Sequence, residues 1–134
     1  LMRSHGVIIS GSAALRFFLP GETWQSTDLD LYVPDDAFDA FRLAFESRFV
    51  QGSRLLFDSA EFREPVEPDA YSVKQLLRYS LPSGRVIDVI RSHTRAASAP
   101  LLGFWSTLLV NYISPDVFAC GYPEYTLERL AVLK

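Results

Sequence analysis

Apolar residues in this chain fall in short runs broken by glycine, serine and proline. Val7-Ile8-Ile9, between Gly6 and Ser10, is β-branched and too short for a helix, and predicts a buried strand over 6–10. Gly11-Ser12 breaks that run. Ala13 to Leu19 then predicts a helix, with Ser12 capping its first turn and Pro20-Gly21 ending it. From 28 to 33 the pattern alternates, Asp28, Asp30 and Tyr32 against Leu29, Leu31 and Val33, and predicts a strand with both carboxylates on one face. Pro34 can open the next helix, and Asp35 and Asp36 suit its positive end. Phe38, Phe41, Phe45 and Phe49 recur at helical spacing, which places this helix at about 35 to 48.

Gln51-Gly52 stops that helix, and Arg54 to Phe57 predicts a short strand. Glu61 to Asp69 carries acids and two prolines and reads as a surface loop. Tyr71 to Leu81 predicts a strand with Lys74 and Arg78 on one face. The turn signal Pro82-Ser83-Gly84 joins it in a hairpin to a strand over Arg85 to Ile90. Residues 92–104 are mixed, with Pro100 opening a short helix. Ser106 to Ile113 fits helix or strand equally. Ser114-Pro115-Asp116 before Val117 to Cys120 predicts a second hairpin, and Thr126 is placed as the cap of a last helix. The whole predicts an α+β domain spanning 1–134.

Composition narrows this picture without changing it. With 134 residues, 49% hydrophobic and 22% charged, the chain suits one domain with its own core. A net charge of −3 removes any broad basic field for nucleic acid, though not a local groove. Cys120 stands alone, so no internal disulfide forms, which fits an intracellular, cytoplasmic protein. No run reaches the length of a membrane span and no secretory signal pattern is present. The chain opens at Leu1 and closes on an unfinished helical pattern from Leu127 to Lys134, so both ends read as cuts through a longer protein.

Three features carry candidate chemistry. Carboxylates about 5 Å apart, as on one strand face, repel by about 3 kcal/mol at an effective dielectric near 20. Asp28 and Asp30 therefore need a cation, an arginine or open water, and a divalent metal that orients a phosphate is the most economical reason to keep both. Gly11-Ser12, between strand and helix, lets a phosphate approach backbone N–H groups. Asp88 interrupts the apolar run Val86-Ile87-Asp88-Val89-Ile90 and is a third candidate ligand, able to act as base to an attacking hydroxyl. Each has a plainer reading. Gly11-Ser12 can be only a turn and cap, Asp28 a loop end with Asp30 on an edge strand, and Asp88 the ion-pair partner of Arg85, Arg78 or Lys74. Lys74, Arg78 and Arg16 either meet a triphosphate or are solvated. Trp24 either stacks on a base or packs over a helix end. His5 and His93 show no ligand spacing and Cys120 no activating neighbour. No P-loop, dinucleotide fingerprint, zinc spacing or nucleophile elbow occurs.

The ordered set Gly11-Ser12, Asp28-Leu29-Asp30 and Asp88 resembles the hallmark of the polymerase-β-like nucleotidyltransferase superfamily: a Gly-Ser turn after the first strand, an acidic pair between apolar residues, and a lone distal acid. The wording of the chain around Ser10-Gly11-Ser12-Ala13 and Asp28 to Pro34 also resembles nucleotidyltransferase-like proteins of mushroom-forming fungi. The resemblance covers Val7 to Ile90. It implies a mixed β-sheet flanked by helices, two Mg²⁺ ions and a nucleoside triphosphate. The implied reaction moves a nucleoside monophosphate to a hydroxyl on a protein, a small alcohol or an RNA end. It further implies that Asp28 and Asp30 bind both ions, that Asp88 binds the catalytic ion and helps deprotonate the acceptor, and that Gly11 and Ser12 hold the triphosphate. Two departures stand out: fifteen residues separate Ser12 from Asp28, a long interval for this pattern, and the chain is short for the superfamily. The alternative expectation is a catalytically inactive module of the same fold that binds nucleotide or protein.

Overall fold

The computed structural model describes residues 1–26, 28–49, 51–61 and 71–133. The surface loop expected from Glu61 to Asp69 lies, beyond its first residue, outside the described residues. The secondary structure runs α1 (Met2–His5), β1 (Ile8–Ser10), α2 (Gly11–Phe18), β2 (Asp28–Val33), α3 (Phe38–Phe49), β3 (Arg54–Asp58), β4 (Val73–Ser80), β5 (Val86–Ser92), β6 (Asn111–Ile113), β7 (Phe118–Cys120) and α4 (Pro123–Thr126). The strands form one sheet in the order β3-β4-β5-β2-β1-β6-β7. Among the described residues β2 and β5 run parallel, and every other pairing is antiparallel. The fold is therefore α+β with a mixed sheet, as expected.

The two faces of the sheet are sorted by the alternation read in the sequence. Leu31 and Val33 of β2, Val89 of β5, and Leu77 and Tyr79 of β4 pack with Phe38, Phe41 and Phe45 of α3 into one core. Burying each phenylalanine contributes about 1.5–3 kcal/mol. Phe45 stacks on Phe41 and meets Tyr79 edge-on. Phe49 continues the stripe in sequence but is exposed, because α3 ends there. The opposite face holds Ile8, Tyr32 and Ile90, covered by Ala97, Leu101 and Val110. Asp28, Asp30 and Asp88 have the parity of this second face.

Several local expectations need correction. Gly6 does not begin β1; it closes α1 in a left-handed conformation at φ 65°. Helix α2 starts at Gly11 rather than Ala13, so Ser12 lies in its first turn and not at its cap. Pro34 precedes a 3-10 turn over Asp35–Ala37 that leads into α3. A register shift between Val73 and Gln75 separates Lys74 from Arg78. Lys74 joins Arg91 on Asp35, at 2.8 and 2.6 Å. These contacts hold the Asp35 carboxyl below its usual range, the Lys74 hydrogen bond foremost. The ambiguous stretch after Ser106 resolves into a 3-10 turn (Thr107–Leu109) followed by β6, and β6 and β7 form the expected second hairpin. Thr126 ends α4 instead of starting a helix. It is buried, with no hydrogen-bond partner for its hydroxyl among the described residues.

Candidate active site

The pleat of β2 turns Asp28 and Asp30 to one side, and the sheet register determines what they meet. Asp30 lies opposite Ser10 on β1 and beside Asp88 on β5. Asp88 in turn lies opposite Arg78 on β4. One row across four strands therefore reads Ser10, Asp30, Asp88, Arg78. The three acids singled out from the sequence, sixty residues apart at the extremes, come together on one face. Asp88 is buried, Asp30 partly buried and Asp28 exposed, so exposure of the acids rises toward Asp28.

Arg78 is the one cation seated on these acids among the described residues. Its Nε donates to Asp88 Oδ1 at 2.8 Å and an Nη to Oδ2 at 2.9 Å, a two-pronged pair. Such charge-assisted forks are about twice as strong as neutral hydrogen bonds. Of the three partners weighed for Asp88, the structure selects Arg78. That hydrogen bond, followed by the charges of Asp88, Asp28 and Asp30, raises the Arg78 guanidinium further above its ordinary value. Asp30 receives no such direct partner. Burial first, then the Asp88 and Asp28 carboxylates, push it up to about 6, with Arg78 offsetting part of the shift. Tyr32, next on the same face, is likewise raised, by burial and then by Asp30 and Asp88.

Gly11 makes this closeness sterically possible. It takes φ +68°, and a Cβ added there would sit 2.0 Å from Asp30 Oδ2. No residue with a side chain fits, so the carboxylate lies directly against the backbone at the start of α2. Ser12 and Ser26 share a hydrogen bond at 2.6 Å, and the Ser26 hydroxyl donates to the Asp28 carbonyl at 2.7 Å. This relay ties the first turn of α2 to the start of β2. Ser10 points elsewhere, donating to the Asn111 carbonyl at 2.6 Å. A cleft of about 450 Å³ opens beside Asp30, Asp88 and Tyr32. A second hollow of about 270 Å³ lies beside Asp28, Ser26 and Arg85. Asp28 thus lines one hollow and Asp30 the other.

The remaining candidates fall to packing roles. Arg16 donates to the Leu19 and Trp24 carbonyls at 2.8 and 3.1 Å, closing α2, with its guanidinium 6.0 Å from the Trp24 ring centre. Trp24 thus packs over the helix end. His5 lies edge-on to Phe41. Among the described residues no three His, Cys, Asp or Glu side chains already surround a common ion position. Asp28 and Asp30, all-oxygen donors without a hydrogen-bonded cation among the described residues, suit a hard divalent ion. Asp88 fits such an ion only as far as Arg78 releases it.

Comparison with known proteins places this arrangement in a fold. No protein-family profile matches the chain, and no curated protein matches its sequence. Solved structures of CCA-adding enzymes do match its architecture. An apo form superposes with TM-score 0.61 at 16% identity, over 95% of this chain and 28% of the other. A complex with CTP gives TM-score 0.56 at 18% identity, over 92% and 27%. The Thermotoga maritima enzyme complexed with tRNA gives 0.52 at 20% identity, over 82% and 22%. The chain spans about a quarter of the length of these enzymes and shares the fold of that portion. Among the described residues no helix is long and apolar enough to cross a membrane.

Proposed function

We propose that this chain is a Mg²⁺-dependent nucleotidyltransferase domain that moves a nucleoside monophosphate from a nucleoside triphosphate to a hydroxyl acceptor. The observation that carries this reading is the meeting of Asp28, Asp30 and Asp88 on one sheet face, against the side-chain-free turn at Gly11. In the proposed site Asp28 and Asp30 hold two divalent ions, Asp88 contributes to the catalytic one, and Gly11 and Ser12 face the triphosphate at the start of α2. Bound Mg²⁺ supplies charge stabilisation to the attacking and leaving oxygens.

In the transfer, the acceptor oxygen bonds to the α-phosphorus, the bond from that phosphorus to the β-phosphate oxygen breaks, and pyrophosphate leaves. Asp88 takes the hydroxyl proton. The fork from Arg78 occupies both carboxylate oxygens of Asp88, so this role requires the guanidinium to be displaced. CTP and tRNA in the complexes of the neighbouring folds favour a nucleoside triphosphate and an RNA end as the first substrates to try. The net charge of −3 favours a short local contact with such an end over a long bound strand.

The joint substitution Asp28→Asn and Asp30→Asn is expected to abolish Mg²⁺-dependent turnover of labelled triphosphate while circular dichroism stays native and thermal melting is not lowered. Equal turnover by the double variant and the parent contradicts the proposal. The pairing of Asp88 with Arg78 favours a second reading, an inactive nucleotide-binding module. Binding of triphosphate without transfer to protein, small-alcohol or RNA acceptors selects that reading.

A further inference from the structure

Arg78 and the acidic row are unequally matched. The guanidinium uses two donors on Asp88 and leaves Asp28 and Asp30 with no hydrogen-bonded cation among the described residues. Asp88 sits in the middle of β5, a central strand, with its side chain 10% exposed, while the Arg78 side chain is 46% exposed. The acid is enclosed by the sheet and the arginine reaches it from a half-exposed position. An ion arriving at Asp28 and Asp30 meets an exposed and a partly buried carboxylate, neither with a hydrogen-bonded cation among the described residues. An ion arriving at Asp88 must first displace two charge-assisted hydrogen bonds.

We propose that Arg78 holds the place of a cation at Asp88, so that the site loads divalent ions in two unequal steps, the second in competition with the guanidinium. This rests on the cation-site reading of Asp28 and Asp30 given above. Arg78 is then a positioning residue. With one ion bound it keeps Asp88 oriented, and with two ions bound it has left the carboxylate.

The test is Mn²⁺ titration of the whole chain, with free ion counted by electron paramagnetic resonance, at fixed pH and ionic strength. The parent is expected to bind one ion more tightly than a second. Arg78→Gln is expected to tighten the second step by about tenfold or more, the worth of losing a charge-assisted hydrogen bond, and to leave the first within a few-fold. Arg78→Lys keeps the charge but loses the fork, so its second step should also tighten, by less. Asp88→Asn should remove the second step alone. A second step that Arg78→Gln and Arg78→Lys leave unchanged or weaken overturns the inference while sparing the cation site. Absence of Mn²⁺ binding in the parent and in Arg78→Gln overturns both.

Discussion

Asp30 is the residue on which the physical chemistry of the site concentrates. Its carboxyl is raised to about 6 by burial, by Asp88 and by Asp28, against about 4 in an unfolded chain. Between those values the folded state holds more protons than the unfolded one. Stability without divalent ions therefore falls as pH rises from about 4 to about 6, and the loss is complete above that. Two pKa units correspond to about 3 kcal/mol, which the partial exposure of Asp30 reduces to about 1–2 kcal/mol. Asp30→Asn is expected to stabilise the ion-free protein by that amount at pH 8 and hardly at all at pH 4, measured by urea denaturation. A variant equally destabilised at both values contradicts this electrostatic account. The shared face of Asp28 and Asp30 was legible from strand alternation alone. The partner of Asp88 was legible in principle, since a hairpin centred on Ser83 sets Arg78 opposite Asp88, five residues to either side. Ser12 was not, because its hydroxyl bonds to Ser26 in a loop with no periodic pattern.

At the scale of elements, the junction of β1 and α2 decides how near the acids come to the backbone. Gly11 and Gly84 both adopt left-handed φ, +68° and +83°, but only Gly11 faces a carboxylate; nothing lies within 4 Å of a Cβ at Gly84. Gly84→Ala should therefore cost about 1 kcal/mol from backbone strain alone. Gly11→Ala adds a clash with Asp30 and should cost about 2–4 kcal/mol. Comparable losses for the two variants in equilibrium unfolding would falsify the close packing of Asp30 on that turn. The long, strongly patterned elements were readable in advance: β2 from its alternation, α3 from its phenylalanines, and the β4–β5 hairpin from Pro82-Ser83-Gly84. The short ones were not. Helix α1 has four residues and β6 three, too few for any period to show. The bulge that separates Lys74 from Arg78 depends on the pairing of β4 with β5 and leaves no local mark.

At the scale of the molecule, the site exists because β2 and β5 run side by side in parallel, although α3, β3 and β4 intervene in the chain. That pairing sets Asp30 beside Asp88 and buries Leu31 and Val89 together under α3. One register thus serves the core and the candidate site, and a one-residue slip would send the acids into the core. Strand neighbours distant in sequence are fixed by the whole sheet, so the sequence supported the meeting of the acids only through the resemblance to a fold. The architecture now links the chain to a portion of CCA-adding enzymes at 16–20% identity, which is likeness of fold. The most direct measurement is anomalous diffraction from a crystal soaked in Mn²⁺ and a non-hydrolysable triphosphate. The account predicts a manganese peak coordinated by Asp28 and Asp30, with the triphosphate against the Gly11 turn. Nucleotide bound elsewhere, with no metal between those carboxylates, would contradict it.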